Sequence, residues 1–192
     1  SRLVWADDLT LARDLMPHVD AGHRAVLAAR IALRANAGNA DALVGAVPTT
    51  LLQDPGLLFD RARWRNRNDN EAGAVALVRQ HPDLAEGDAQ DWWKLRDALA
   101  RWALERGDTA SAYAIASRHG FSVADDPVPY IEAEWLAGWI ALRYTGNTRA
   151  ALSHFTRMNA AAVSVVSKAR GAYWTGRAAA ALGETDKAQR WY

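Results

Sequence analysis

A short turn made of glycine, a polar residue and a small residue recurs along the chain, and it limits the possible folds more than any other feature. The first residues of its five occurrences are separated by 30, 39, 39 and 37 positions. Helix-turn-helix repeats have this spacing, and tetratricopeptide repeats recur about every 34 residues. Four of these turns contain glycine: Gly38-Asn39-Ala40, Gly107-Asp108-Thr109, Gly146-Asn147-Thr148 and Gly183-Glu184-Thr185. Asn68-Asp69-Asn70 occupies the matching place in the fifth.

The residues of these turns predict how one helix ends and the next begins. Glycine or asparagine at the end of the first helix can adopt the left-handed conformation that terminates it. The polar residue that follows can cap the second helix by accepting a backbone N–H bond. The expected caps are Asn39, Asp69, Asp108 and Asn147.

The fifth position after each turn glycine predicts how closely the paired helices pack. The last three repeats place alanine there, at Ala112, Ala151 and Ala188. A small residue at this point lets the second helix lie close against the first. The first two repeats have Leu43 and Gly73 instead, which indicates a less regular arrangement.

Proline positions and composition also favour helices. Alanine, which has the highest helix propensity, accounts for 41 of the 192 residues. Asp54-Pro55 has the pattern of a cap followed by a first-turn proline, and it predicts a helix over residues 55–67. A further helix should begin at Asp88 or Asp91, and another should cover about residues 130–145.

The predicted fold is all-α, because no segment alternates polar and apolar residues as a strand does. We expect a right-handed superhelical solenoid of antiparallel helix pairs, similar to a tetratricopeptide array, in one domain over residues 1–192. Residues 1–53 should form irregular helices and residues 54–192 more regular pairs. The chain begins without Met and ends within an apparent helix, so we expect it to be part of a longer protein.

The composition argues against several classes of function. A formal net charge of +1 provides no general attraction to nucleic acid. The lack of cysteine excludes thiol catalysis and cysteine-based metal sites. No apolar run is long enough to span a membrane, and no glycine-rich loop could hold a nucleotide. We therefore expect no cofactor, no metal, no nucleic acid and no membrane span.

The polar clusters predict no catalytic residue. Glu132 and Glu134 are two positions apart on a helix, so they should point about 200° apart and cannot act on one bond. We interpret them as acids near a helix start and Asp125-Asp126 as a turn. Asp20 should be a cap rather than a metal ligand beside His23. Arginines at positions 61, 63, 65 and 67 should surround a solvated helix rather than form an anion site.

Nine tryptophans are unusual in a chain of this length. Four of them lie in the first helices of their repeats, where packing in the core is the expected role: Trp64, Trp102, Trp139 and Trp174. Trp92 and Trp93 are different, because adjacent residues on a helix face different directions and one of them should be partly exposed. Since an indole ring can stack on a sugar, these two are the candidate glycan contacts.

The last third of the chain resembles the helical superhelix of the soluble lytic murein transglycosylases. The resemblance covers residues 130–192 and weakens toward residue 50. Its most specific part is Ala-Tyr-Trp-Thr-Gly-Arg-Ala at residues 172–178, preceded by Glu132-Ala-Glu-Trp-Leu-Ala-Gly-Trp. The Glu-Ser and Gly-Leu-Met-Gln motifs of that family's catalytic domain do not occur in this sequence.

The resemblance implies a non-catalytic scaffold that restrains peptidoglycan glycan strands in the bacterial periplasm. It also implies a separate, C-terminal catalytic domain that cleaves the bond between N-acetylmuramic acid and N-acetylglucosamine, with a 1,6-anhydro product. The alternative is a tetratricopeptide-like adaptor that binds a protein or peptide in its concave groove. Such an adaptor should present converging Asn, Lys or Arg side chains, whereas a glycan-binding wall should present exposed aromatic rings.

Overall fold

A computed structural model of the chain describes residues 2–82, 87–123 and 127–192, and all regular elements within them are helical. The predicted all-α class is confirmed, and the superhelical solenoid stays a prediction. Within the described residues, short 3-10 turns at Met16–His18 and Thr49–Leu51 accompany twelve α-helices: α1 Arg2–Trp5, α2 Leu9–Asp14, α3 Ala21–Arg34, α4 Ala40–Gly45, α5 Pro55–Arg67, α6 Glu71–Gln80, α7 Ala89–Glu105, α8 Thr109–Ala116, α9 Pro127–Arg143, α10 Thr148–Ala161, α11 Val165–Ala181 and α12 Thr185–Trp191.

The chain divides into two compact units, residues 1–92 and 93–192, and the boundary falls within α7. In the first unit, α3 packs against α4 and α5, and α5 packs against α6. In the second unit, α9 packs against α8 and α10, and α11 packs against α10 and α12. Each unit therefore builds its core mainly from helices that follow one another in the chain.

The helix pairs of the second unit are antiparallel, and small residues let them approach closely. A Cβ atom added to Gly138 of α9 would lie 2.7 Å from the ring of Phe155 in α10. One turn earlier in α9, Glu134 bonds to Arg157, which comes later in α10. Residues earlier in α9 therefore contact residues later in α10, as expected for antiparallel helices. In the same way, Gly171 of α11 lies against Asn159 of α10.

The three later turns have the predicted geometry. Gly107, Gly146 and Gly183 have φ values of 77°, 66° and 77°, in the left-handed region that favours glycine. In each turn the N–H of the threonine two residues later donates to the glycine carbonyl, over 2.9 to 3.0 Å. The Asp108 and Asn147 side chains cap α8 and α10 as predicted, by accepting N–H bonds from Ser111 and Ala150.

In the first two turns the prediction assigned the left-handed conformation and the capping role to the wrong residues. Asn36, with φ of 52°, is the left-handed residue of the first turn in place of Gly38, and Asn39 makes no side-chain capping bond. In the second turn Asp69 is left-handed with φ of 55°, and Asn70 caps α6 by accepting the Gly73 N–H. Asp69 therefore occupies the glycine position rather than the capping position. Asn and Asp tolerate this conformation better than other side chains because they bond locally to the backbone.

With Asp69 at the glycine position, the second repeat is aligned one residue later and matches the three later repeats. Five positions after Asp69 lies Ala74, rather than the Gly73 of the predicted alignment. Ala74, Ala112 and Ala151 are 0% exposed and Ala188 is 4% exposed. A buried alanine therefore follows all four of these turns at the same distance, where the second helix of the pair meets the first.

Several predicted helix starts are confirmed. Asp54 accepts the Leu57 N–H over 2.8 Å, and Pro55 occupies the first turn of α5. Asp88 accepts bonds from the first residues of α7. Asp20 accepts the His23 N–H, so it is the cap that the sequence predicted.

We expect the substitution Ala74→Leu to destabilise the first unit by about 1–3 kcal/mol, because three added carbon atoms would have to fit a fully packed contact. Ala72 is exposed on the same helix, so Ala72→Leu should change the free energy of unfolding by less than about 0.5 kcal/mol. Urea denaturation followed by circular dichroism measures both. Equal effects of the two substitutions would contradict the shifted alignment.

Candidate functional site

The two predicted glycan contacts lie in different environments. Trp92 is 1% exposed, and its ring meets Phe59 edge to face at 4.7 Å. A ring enclosed in this way has no face open to a sugar, so Trp92 is withdrawn as a candidate. Trp93 is partly buried and packs edge to face against His119 and Phe121, at 6.4 and 6.2 Å between ring centroids. Its role in glycan contact stays a prediction.

A continuous row of six aromatic rings lies instead on the second unit. We call it the aromatic ridge. Successive ring centroids are 5.0 to 6.3 Å apart, so each ring contacts the next. The tryptophans are partly buried, whereas the tyrosines at positions 144, 173 and 192 are 45%, 46% and 68% exposed. In order of contact the ridge consists of Tyr144, Trp139, Trp135, Trp174, Tyr173 and Tyr192.

One face of α11 forms half of the ridge, as its sequence spacing requires. Arg170, Tyr173, Trp174 and Arg177 follow at intervals of three, one and three residues, which places them on the same side of a helix. The opposite face is buried and includes Thr175 at 0% exposure. The motif that carries the family resemblance therefore provides both the contact with α10 and the exposed aromatic face.

Gly176 allows the Tyr192 ring to join the ridge. A Cβ atom at this position would lie 2.8 Å from the Tyr192 ring, so only glycine lets that ring pack against α11. The Tyr192 ring lies 6.3 Å from the Tyr173 ring as a result. Below the ridge, Phe155 is fully buried and stacks on Trp174 at 5.5 Å, which fixes the central ring from the core side.

Two arginines lie on the ridge with their guanidinium groups against aromatic rings. The Arg170 Cζ atom is 4.2 Å from the centroid of the Trp135 ring, and its Nη1 donates to Glu132 over 2.9 Å. The Arg177 Cζ atom is 5.9 Å from the Tyr173 ring, and its Nη1 donates to the Tyr173 hydroxyl over 3.1 Å. Stacking of this kind holds a long side chain in place while its charge remains at the surface.

The sequence prediction missed the ridge because it assigned Trp139 and Trp174 to the core one residue at a time. Both rings are partly buried, so that assignment describes only one side of each ring. The useful signal was the spacing Arg-x-x-Tyr-Trp-x-x-Arg in α11. Charged residues at the ends of an aromatic stripe indicate a helix face at the surface, since a buried stripe would have apolar ends.

Glu134 forms a buried polar cluster beneath this region. It is 2% exposed and accepts two bonds from Arg157, over 2.7 and 2.9 Å. His154 Nδ1 lies 2.6 Å from the same carboxylate, and His119 Nε2 lies 3.5 Å from it. Tyr113 contacts the other nitrogen of His154 over 3.1 Å. Nη2 of Arg157 also lies 2.8 Å from Nδ1 of His154, so this nitrogen faces both the carboxylate and the guanidinium group.

The Glu134 cluster does not have the properties of an acid catalyst. Burial raises the pKa of Glu134, but the bonds from His119, His154 and Arg157 outweigh it and hold that pKa well below its usual value. The carboxyl group therefore keeps its charge and has no proton to donate to a glycosidic bond. The prediction that Glu132 and Glu134 do not converge is confirmed, since Glu132 is half exposed and bonds to Arg170. The assignment of Glu134 to a helix start was wrong, because it lies two turns inside α9.

A second buried carboxylate lies in the first unit. Asp60 is 1% exposed and bonds to Arg30 over 2.7 Å and to Arg34 over 2.8 Å. Burial raises the pKa of Asp60 above its usual value, although the charges of both arginines oppose this. Arg30 in turn fills the space left by Gly56, where a Cβ atom would lie 2.3 Å from the guanidinium carbon. A carboxyl group enclosed in this way cannot be reached by a glycan.

The arginine series of α5 has a structural role that the sequence did not predict. Arg67 donates to the Leu33 carbonyl at the end of α3, over 2.7 Å. Arg65 donates to the Gly73 carbonyl of α6, over 2.9 Å. Both side chains therefore bond to backbone oxygens of neighbouring helices, rather than extending only into solvent.

The first unit also contains a cleft of about 390 Å³, lined by His18, Asp20, His23 and Asp54 among others. Asp20 and Asp54 are the caps of α3 and α5, so the carboxylates of the cleft already accept backbone bonds. The part of the chain that the structure describes contains no group of three or more His, Asp or Glu side chains that could hold a metal ion. Asp125 and Asp126 lie outside the described residues.

No protein-family model, curated protein or solved structure matches this chain. The resemblance to the lytic transglycosylases therefore stays a prediction. Among the described helices, none is long and apolar enough to cross a membrane.

We expect Glu134→Gln to destabilise the second unit by about 3 kcal/mol at pH 7, because it leaves buried histidines and Arg157 without their carboxylate. The folded-state pKa is lowered, so the carboxylate's contribution is fully present above its ordinary pKa of 4.5 and is lost as the pH falls below that value. The difference in free energy of unfolding between Glu134→Gln and the unsubstituted protein should therefore be smaller at pH 3 than at pH 7.

Urea unfolding at both pH values measures this difference. Glu132→Gln, which removes an exposed ion pair, is the control and should cost less than about 1 kcal/mol at pH 7. A difference between Glu134→Gln and the unsubstituted protein that stays constant from pH 7 to pH 3 would contradict the lowered pKa.

Proposed function

We propose that this chain is a non-catalytic helical scaffold that binds glycan strands of peptidoglycan through the aromatic ridge of its second unit. The ridge is the observation that carries the proposal. Sugar rings present apolar C–H faces that stack on tryptophan and tyrosine, and their hydroxyl groups bond to the polar edges of these side chains. A row of six contacting rings suits an extended polymer better than a compact ligand.

The position of the ridge in the sequence supports the same proposal. Its α9 rings lie in Glu132-Ala-Glu-Trp-Leu-Ala-Gly-Trp, and its α11 rings lie in the Ala172–Ala178 motif. These are the segments that resemble the lytic transglycosylases. On this basis we assign the chain to the superhelix of such an enzyme in the periplasm, where it would restrain strands for a separate catalytic domain. That assignment rests on resemblance.

A catalytic role for the described carboxylates has little support. Glu134 and Asp60 are enclosed by cationic side chains, and Glu132 is bonded to Arg170. An adaptor that binds a protein or peptide is the alternative. Such an adaptor would bind its ligand in a concave groove, so the experiment has to separate a glycan ligand from a peptide ligand.

We expect the chain to pellet with purified, insoluble peptidoglycan, and Tyr173→Ala to weaken this binding about tenfold through the loss of one stacking ring. Val165→Ala removes an 83% exposed apolar side chain from the same helix outside the ridge, and it should leave binding unchanged. Bound fractions over a series of peptidoglycan concentrations give both affinities.

Mass spectrometry of the soluble fraction tests the second part of the proposal. No 1,6-anhydro-muropeptides should be released by this chain, and their release would show that an active site lies within it. Failure to pellet with peptidoglycan, together with binding of a peptide to the ridge, would replace the scaffold by the adaptor.

A further inference from the structure

The charged residues of this protein are distributed unequally along the chain. Residues 127–192 contain eight Lys or Arg and four Asp or Glu, a formal net charge of +4, whereas the whole chain has +1. The remaining residues therefore have a net charge of −3. All of residues 127–192 are described by the structure, and they form α9 to α12, which include the whole aromatic ridge. An anionic ligand is the kind of partner that such an excess attracts.

Three of the four acidic side chains of this segment are paired with basic side chains, and the fourth, Asp186, is exposed in the first turn of α12. Glu134 is buried with Arg157, and Glu184 bonds to Lys187 over 2.9 Å in α12. Glu132 is the one acid in contact with a ridge arginine, and it neutralises Arg170. Within the described part of the chain, Arg177 has no acidic partner, and it contacts the Tyr173 ring and hydroxyl.

Tyr173 therefore holds the Arg177 side chain beside exposed aromatic rings, and no acidic side chain among the described residues neutralises its positive charge. Its stacking on Tyr173 reduces the freedom that it would lose on binding, and its planar fork of N–H groups suits a carboxylate. Arg170 lies two helical turns away on the same face, about 10 Å along the helix axis. Its ion pair with half-exposed Glu132 could exchange for a ligand carboxylate at small cost, since exposed ion pairs contribute about 0–1 kcal/mol.

We propose that the ridge selects glycan strands that bear carboxylates, with Arg177 binding the carboxylate while the rings bind the sugar faces. This inference rests on the proposed function and specifies its ligand. A neutral β-1,4-linked chain of N-acetylglucosamine offers the same stacking faces without the acid. The glycan of peptidoglycan bears a lactyl carboxyl on every second sugar once the stem peptides have been removed.

Two soluble ligands of equal length test the inference: glycan strands freed of their peptides, and neutral chito-oligosaccharides. Isothermal titration at low salt should give at least about tenfold tighter binding of the carboxylate-bearing strands, the expected effect of one charge-assisted bond. Arg177→Gln should reduce this ratio of affinities to near one. The preference should also decrease as the salt concentration rises.

Arg149→Gln is the matched control, because it removes one positive charge from an exposed position on α10, a helix that contributes no ring to the ridge. If general charge attraction caused the preference, both substitutions would lower it equally, and the assignment to Arg177 would be overturned. Equal affinity of the unsubstituted chain for the two ligands would overturn the inference and leave the proposed function intact. Binding to neither glycan would overturn both, and an acidic peptide bound in their place would identify an adaptor.

Discussion

Close approach of helices at small residues is the constraint on which the rest of this structure depends. Each of the four regular turns is followed by a buried alanine, and glycines at positions 138 and 171 face neighbouring helices without room for a Cβ atom. At Gly138 the small residue leaves room for one large ring, that of fully buried Phe155, between α9 and α10. Most of the tryptophans are only partly buried, at the edges of the packed interfaces. The aromatic ridge follows from the same packing that holds α9, α10 and α11 together.

The polar cluster around Glu134 has a different effect from the alanine contacts. Alanine contacts allow two helices to approach but define their relative register weakly, because one small residue fits much like another. Glu134 joins α9 to α10 through Arg157 and His154, and to the segment after α8 through His119. Buried polar groups that are all satisfied favour a single arrangement, since any shift would leave a charge without its partner. In this unit the cluster fixes the register, and the ridge rings on α9 and α11 keep their relative positions as a result.

The sequence predicted the features of this fold that are local. The turns at Gly107, Gly146 and Gly183 could be predicted because glycine, the cap and the alanine lie within six residues of each other. The second turn was misaligned because Asp69 and Asn70 are both suited to capping, and only the backbone shows which one is left-handed. The Glu134 cluster could not be predicted, because its other members lie 15 to 23 residues from Glu134 in the chain and meet it only after the helices pack. For Trp92 and Trp93 the sequence predicted that the two rings face different directions, but not which direction is buried.

The Glu134 cluster and the aromatic ridge together also determine the surface charge of the second unit. By enclosing Glu134 with Arg157, the cluster removes a carboxylate from the surface of α9, on the helix that provides two rings of the ridge. Glu132, on the same helix, is neutralised by Arg170, and Arg170 is itself stacked on Trp135. The same packing that orders the rings therefore leaves the surrounding surface with an excess of positive charge. One helix face thus combines aromatic rings for stacking with positive charge. A ligand that has both sugar rings and carboxylates matches this combination better than a neutral glycan or a purely acidic peptide does. The basic side chains of this segment that have no acidic partner among the described residues are Arg143, Arg149, Lys168, Arg177 and Arg190.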